Sequence, residues 1–139
     1  MHMNEQTYPG VGIGVYIRKE GKLLLGKRKG SYGTDTWGAP GGKLEMWELP
    51  EECAVREVKE ETSIDIHNLK FVGVVDDQDK ENGTHYVTIS YIADWKEGEP
   101  VPEPGKFEEW RWFPIDALPE PKFLPLRNFL ASGYNPFTI

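Results

Sequence analysis

The chain has 139 residues, with 23 acidic side chains against 16 basic ones and a formal net charge of −7. That length suits one domain, residues 1–139, whose core needs no disulfide or metal staple, and the acidic balance opposes general binding to nucleic acid, which needs a positive footprint. The single Cys53 excludes an intramolecular disulfide and fits a reducing compartment; no apolar run approaches the roughly 18 residues of a membrane span and no signal peptide is visible, so no membrane partner and a cytoplasmic location are expected.

Residues Met1–Pro9 are polar and are expected to be flexible. Val11–Arg18 (VGIGVYIR) alternates and is rich in β-branched residues, which predicts a strand. A turn at Glu20-Gly21-Lys22 returns the chain into Leu23–Lys27, a second strand. Gly10, Gly12 and Gly14 do not form a dinucleotide fingerprint, because no helix comes after this strand, and no P-loop ending in Gly-Lys-Ser/Thr is present. The basic run Lys27–Ser31 reads either as a solvated turn or as a phosphate clamp. In the second reading Arg28 is best suited, since a guanidinium binds phosphate oxygens bidentately. Trp37-Gly38-Ala39-Pro40 then leads into the pair Gly41-Gly42.

Pro50–Thr62 predicts a helix: proline suits a first helical turn, and neither Gly nor Pro interrupts Glu51–Thr62. Leu69–Asp76 reads as a strand, Asp77–Gly83 as a charged hairpin loop, and His85–Asp94 as a further strand whose His85 reads as structural or solvent-facing. Lys96–Gly105, rich in Pro, Gly and Glu, reads as an irregular loop. Glu108–Pro114 is the last predicted strand, Asp116–Pro119 a turn, and Phe123–Ser132 a short amphipathic helix. Strands interleaved with two helices predict the α/β class, with a mixed sheet covered on both sides and a strand order left open.

On the predicted helix Glu57, Glu60 and Glu61 stand at i, i+3 and i+4 and share one face. Like charges so placed cost roughly 0.2–0.5 kcal/mol per pair. One reading is a solvated acidic face. The other is a cation site, where carboxylates without a nearby Cys or His pair favour Mg²⁺ or Mn²⁺ over Zn²⁺.

Gly42, Glu48 and the run Arg56-Glu57-Val58-Lys59-Glu60-Glu61-Thr62-Ser63-Ile64 resemble the signature of the Nudix hydrolases. Three positions depart from it: Trp47 stands where Gly is common, Leu49 where a Ser or Thr N-cap is common, and Ser63 where the family has Gly. The resemblance implies the Nudix α/β/α sandwich, with a mixed sheet, the catalytic helix after the glycine pair and a short C-terminal helix. The segments GKRKGS, PGGKLE, EECAVRE, HYVTI, EEWRWFPIDALP and FLPLRNFLASGYNPF are similar to the MutT-like branch, particularly to enzymes that hydrolyse oxidised guanine nucleotides such as 8-oxo-dGTP. In that branch a nucleoside triphosphate gives the monophosphate and pyrophosphate.

The residue roles implied by the resemblance are expectations. Glu60 and Glu61 ligate Mg²⁺ (Mn²⁺ as the alternative), together with the Gly41 carbonyl and Glu57. Glu57 also orients or deprotonates the attacking water. Arg56 pairs with Glu48 or Glu60 and keeps the carboxylates in register, a supporting role of the kind metal sites use. Glu109, with Glu108 as its rival, adds an acidic ligand from the opposite strand. Arg28, Ala39 and Gly42 contact the substrate, and Trp37, Phe123 and Leu124 hold a purine. The expected partner is a small nucleotide, and the chain is a monomer or a homodimer. Rival substrates are ADP-ribose, a pterin triphosphate or an isoprenyl diphosphate. A non-catalytic nucleotide sensor is a third reading, opposed by the intact set of carboxylates.

Overall fold

The computed structural model describes residues 6–30 and 32–138. The first five residues of the segment expected to be flexible, and Ser31 of the basic run, lie outside them. Residue Gln6 is tied down: its side chain donates to the His85 carbonyl (3.1 Å) and accepts from the His85 N–H (2.7 Å).

The described strands are β1 (Gly10–Lys19), β2 (Lys22–Arg28), β3 (Trp37–Gly38), β4 (Gly41–Lys43), β5 (Asp65–Asp79), β6 (Thr84–Glu97) and β7 (Phe107–Pro114). The helices are α1 (Pro50–Thr62) and α2 (Leu124–Ala131), with a short 3₁₀ turn at Ile115–Ala117. The strands form one mixed sheet in the order β3-β2-β1-β6-β5, with β4 added beside β1 and β7 beside β2. Among the described strands β1 and β6 pair in parallel, from Gly10↔Tyr86 to Arg18↔Asp94, and the other strand pairs are antiparallel. The β1–β2 hairpin pairs only at its closed end, through Arg18↔Leu23 and Lys19↔Lys22. Beyond it β1 takes β4 as its neighbour, while β2 takes β7 and β3. This divergence opens the sheet where the glycine pair enters.

Alternation along β1 divides the core. Ile13, Val15 and Ile17 face α1, where Cys53, Ala54 and Val58 close the layer. Tyr16 faces α2 with Val75, Ile92, Leu126 and Phe129, and its ring stacks on Phe129 at 4.0 Å. Among the described residues no helix is long and apolar enough to cross a membrane.

Helix α1 has the predicted bounds. Its N-cap Leu49 is extended (φ −75°, ψ 146°) and contributes no side-chain acceptor; Glu52 instead accepts the Leu49 N–H at 2.8 Å. Its C-cap Ser63 is left-handed (φ 66°) and donates its N–H to the Lys59 carbonyl at 3.0 Å. Trp47 also has a left-handed backbone (φ 70°) and is 95% exposed. That conformation accounts for glycine in the family pattern; nothing in the structure explains a tryptophan there.

The predicted loop Asp77–Gly83 is corrected. Strand β5 starts at Asp65 and continues to Asp79, with Asp77↔Tyr86 and Asp79↔Thr84 in register, and only Lys80–Gly83 turns. A run of Asp and Gln carries weak strand propensity, but the ladder to β6 supplies hydrogen bonds that propensity does not see.

Candidate active site

The glycine pair brings helix and sheet together. A Cβ on Gly41 would lie 2.0 Å from the Ile13 carbonyl oxygen, and one on Gly42 would lie 2.4 Å from Glu57 Cδ. Gly41 excludes any side chain, one at Gly42 would displace the Glu57 carboxylate, and the carboxylates of α1 reach the backbone of β4. Glu61 Oε1 accepts the Gly41 N–H at 2.9 Å. From the other side the Trp110 indole donates to the Glu61 carbonyl at 3.0 Å and fixes the last turn of α1.

Arg56 organises the remaining acids. It holds Glu48 bidentately, Nε to Oε2 at 2.6 Å and Nη2 to Oε1 at 2.9 Å. Its Nη1 donates to Glu57 Oε1 at 2.8 Å and to Glu60 at 3.3 Å. The hydrogen bonds from Arg56 pull the Glu48 carboxyl down to about 2. Hydrogen bonding to Glu48 in turn holds the guanidinium more firmly charged.

Glu57 and Glu61 are buried, at 8% and 6% exposure. Burial pushes the Glu61 carboxyl up to about 8, with the charge of Glu57 adding to the rise, and outweighs the Gly41 N–H and the attraction of Lys106 and Arg28. Burial also raises Glu57, against the opposing pull of Arg56. Two buried carboxyls facing one cavity form an oxygen donor set that fits a hard divalent cation. The side chains are not gathered as a ready cage: among the described residues no three His, Cys, Asp or Glu are grouped to hold a metal ion. Glu60 turns onto Arg56 instead and is half-exposed.

Glu57 and Glu61 line a cavity of about 700 Å³, within the usual size range of small-molecule sites. Gly41, Gly42 and Ala39 line it too, as do Arg28, Lys29, Lys43 and Lys106. Phe123 and Leu124 form an apolar wall. Arg28 lies over the Phe123 ring at 3.8 Å and donates to the Tyr32 carbonyl at 3.3 Å.

Besides Glu60, two expected contacts are not brought to this cavity. Trp37 belongs to the core beside α2, its ring edge-on to Phe113 at 5.1 Å. It is a packing residue because β3 turns it inward against β7's neighbours. Glu109 stands opposite Lys27 on β7, is ion-paired with Arg111 and does not line the cavity. Glu108 does not line the cavity either and lies 3.6 Å from Lys27 Nζ. Successive side chains on β7 point to opposite faces, and Glu109 shares the face of Arg111 and Phe113, which packs with the α2 layer.

Asp77, Thr88, Tyr16 and Lys106 also line the cavity, and none is among the site residues expected from the sequence. Period-two alternation continued from Val75 would have placed Asp77 on the same face. Lys106 sits in an irregular loop and carries no such signal.

A cavity that joins buried carboxyls to basic side chains and an apolar wall suits a ligand that carries both charged phosphates and an apolar group. The model of the NUDIX domain matches residues 8–132, and the chain belongs to the Nudix hydrolases. It is 33% identical over 116 residues to the ADP-ribose pyrophosphatase of Methanocaldococcus jannaschii, covering 84% of this chain and 68% of that protein. It is 31% identical over 130 residues to the NAD-capped RNA hydrolase NudC of Stutzerimonas stutzeri, covering 91% of this chain. The chain spans only 44% of the length of that relative. Among solved structures, a MutT NUDIX hydrolase from Burkholderia pseudomallei superposes with a TM-score of 0.82 at 38% identity, covering 86% of this chain and 94% of that one.

Proposed function

We propose that the chain hydrolyses purine nucleoside triphosphates, oxidised purines such as 8-oxo-dGTP included, to the monophosphate and pyrophosphate. The observation that carries this reading is the single cavity shared by Glu57, Glu61, Arg28 and the Phe123–Leu124 wall. Its shape offers a phosphate end and a base end in one space. The 38% identity to a MutT hydrolase supports the same choice.

Glu57 and Glu61 would hold the divalent cation, Mg²⁺ or Mn²⁺, with the Gly41 carbonyl and Glu60. When bound, such an ion would neutralise diphosphate charge and acidify the attacking water. Arg28, Lys43 and Lys106 draw in the phosphates, Arg28 through its planar fork. Glu57 orients the water and takes its proton as oxygen bonds to phosphorus and the bond to pyrophosphate breaks. Arg56 keeps Glu57 in place through that transfer. Phe123 and Leu124 cover the base. The buried thiol Cys53 suits a reducing cytoplasm.

A second reading is hydrolysis of ADP-ribose to AMP and ribose 5-phosphate. The 33% identity to an ADP-ribose pyrophosphatase favours it. Assays with Mg²⁺ separate the two. Pyrophosphate from dGTP or 8-oxo-dGTP supports the first reading. AMP from ADP-ribose, without pyrophosphate from any triphosphate, supports the second. Failure to turn over either class would remove both.

A further inference from the structure

The cavity contains a third buried acid, which comes from the sheet and not from α1. Asp77 lies on β5, on the sheet face that packs against α2, and is 3% exposed. Three elements hold it. Its Oδ1 accepts from Asn128 Nδ2 on α2 at 2.9 Å, and its Oδ2 accepts from the Thr88 hydroxyl on β6 at 2.5 Å. Thr88 and Leu126 line the cavity beside it.

An ionised carboxylate has about four acceptor sites and no donor. Here each oxygen has accepted one bond from a neutral group, which leaves each able to accept another. Asn128 and Thr88 fix the orientation of the acid. A buried acceptor pair with unused sites, aimed into a ligand cavity, selects a ligand edge with two adjacent N–H donors.

Resting on the reading of the chain as a triphosphate hydrolase, we infer that Asp77 reads the base and restricts the substrate to guanine-type nucleotides. The N1–H and 2-amino group of guanine supply two donors side by side, one for each carboxylate oxygen. Adenine presents an amino donor beside the N1 acceptor, and that acceptor repels a carboxylate oxygen. Cytosine has the same mismatch, and thymine offers one N–H between two carbonyls. Oxidation at C8 leaves the N1/2-amino edge unchanged. The site therefore accepts dGTP and 8-oxo-dGTP alike, and Asp77 does not distinguish them.

Steady-state kinetics with Mg²⁺ on dGTP, dITP and dATP test this. In the natural chain, dITP, which lacks the 2-amino group, should lose at least about tenfold in kcat/KM, and dATP at least about a hundredfold. Asp77→Asn, nearly identical in shape, should lower the dGTP:dATP ratio of kcat/KM at least about tenfold. A purely structural role would lower both and leave the ratio unchanged. If that variant does not fold, the dITP and dATP arms on the natural chain decide. Equal use of dGTP, dITP and dATP would overturn the role of Asp77 and leave the triphosphatase reading standing. AMP release from ADP-ribose with no triphosphate turnover would overturn both.

Discussion

Arg56 touches Glu48, Glu57 and Glu60 at once, so the acids of α1 are arranged by one guanidinium rather than by mutual repulsion. Replacing it with lysine removes the fork that binds Glu48 bidentately. The direct test of the chemistry lies at Glu57. Glu57→Gln keeps the size and removes the base, and should lower kcat at least about a hundredfold; a loss of tenfold or less takes Glu57 out of that role. Glu61 makes a prediction about pH. Its carboxyl is raised from 4.5 to about 8 in the fold, so the folded chain keeps a proton that the unfolded chain releases. Stability from this group is full below about pH 4.5 and is lost as pH rises through about 8. Each unit of difference is worth about 1.4 kcal/mol. The Tm of metal-free protein should fall from about pH 5 to about pH 8. Millimolar Mg²⁺ should flatten that fall, because a cation favours the ionised form. Glu61→Gln should abolish the slope, and a slope that survives the substitution would assign it elsewhere. Ser90 gives a third residue-scale test. Its hydroxyl is buried without a hydrogen-bond partner among the described residues. Ser90→Ala should leave the denaturant midpoint unchanged or raise it, since an unpaired buried hydroxyl costs about 1–3 kcal/mol.

Helix α1 owes its position more to packing and the glycine pair than to its caps. Leu49 offers no side-chain oxygen to the first turn, although Glu52 already accepts the Leu49 N–H. Leu49→Ser completes the reciprocal pair and should stabilise the protein by about 1 kcal/mol, read as a higher denaturant midpoint. Ser63, at φ 66°, is the converse case; Ser63→Gly relieves a left-handed side chain and should also raise the midpoint, by up to about 1 kcal/mol. The bounds of α1 were legible because its signals are local: Pro50 at the start, an uninterrupted run of helix formers, and a departure at Ser63. The extent of β5 was not. Asp77 to Asp79 look like loop residues until Thr84–Tyr86 are beside them.

At the scale of the molecule, α2 closes the cavity and anchors the sheet face beneath it. Phe129 is fully buried, stacked on Tyr16 and packed near Tyr134. Phe129→Ala should cost roughly 3–5 kcal/mol of stability. The same helix carries Leu124 and Leu126 into the cavity wall and Asn128 to Asp77, so the variant should raise KM more than it lowers kcat. An unchanged KM would mean that α2 does not shape the substrate site.

Local sequence was enough for the glycine pair, the helix after it, the acid spacing on its face and the family, because each is written in neighbours a few residues apart. It took the folded arrangement to make Trp37 core, to face Glu109 away from α1 and to bring Asp77 into the cavity. Those outcomes depend on strand register and on which groups lose water together, and both are set by partners far along the chain.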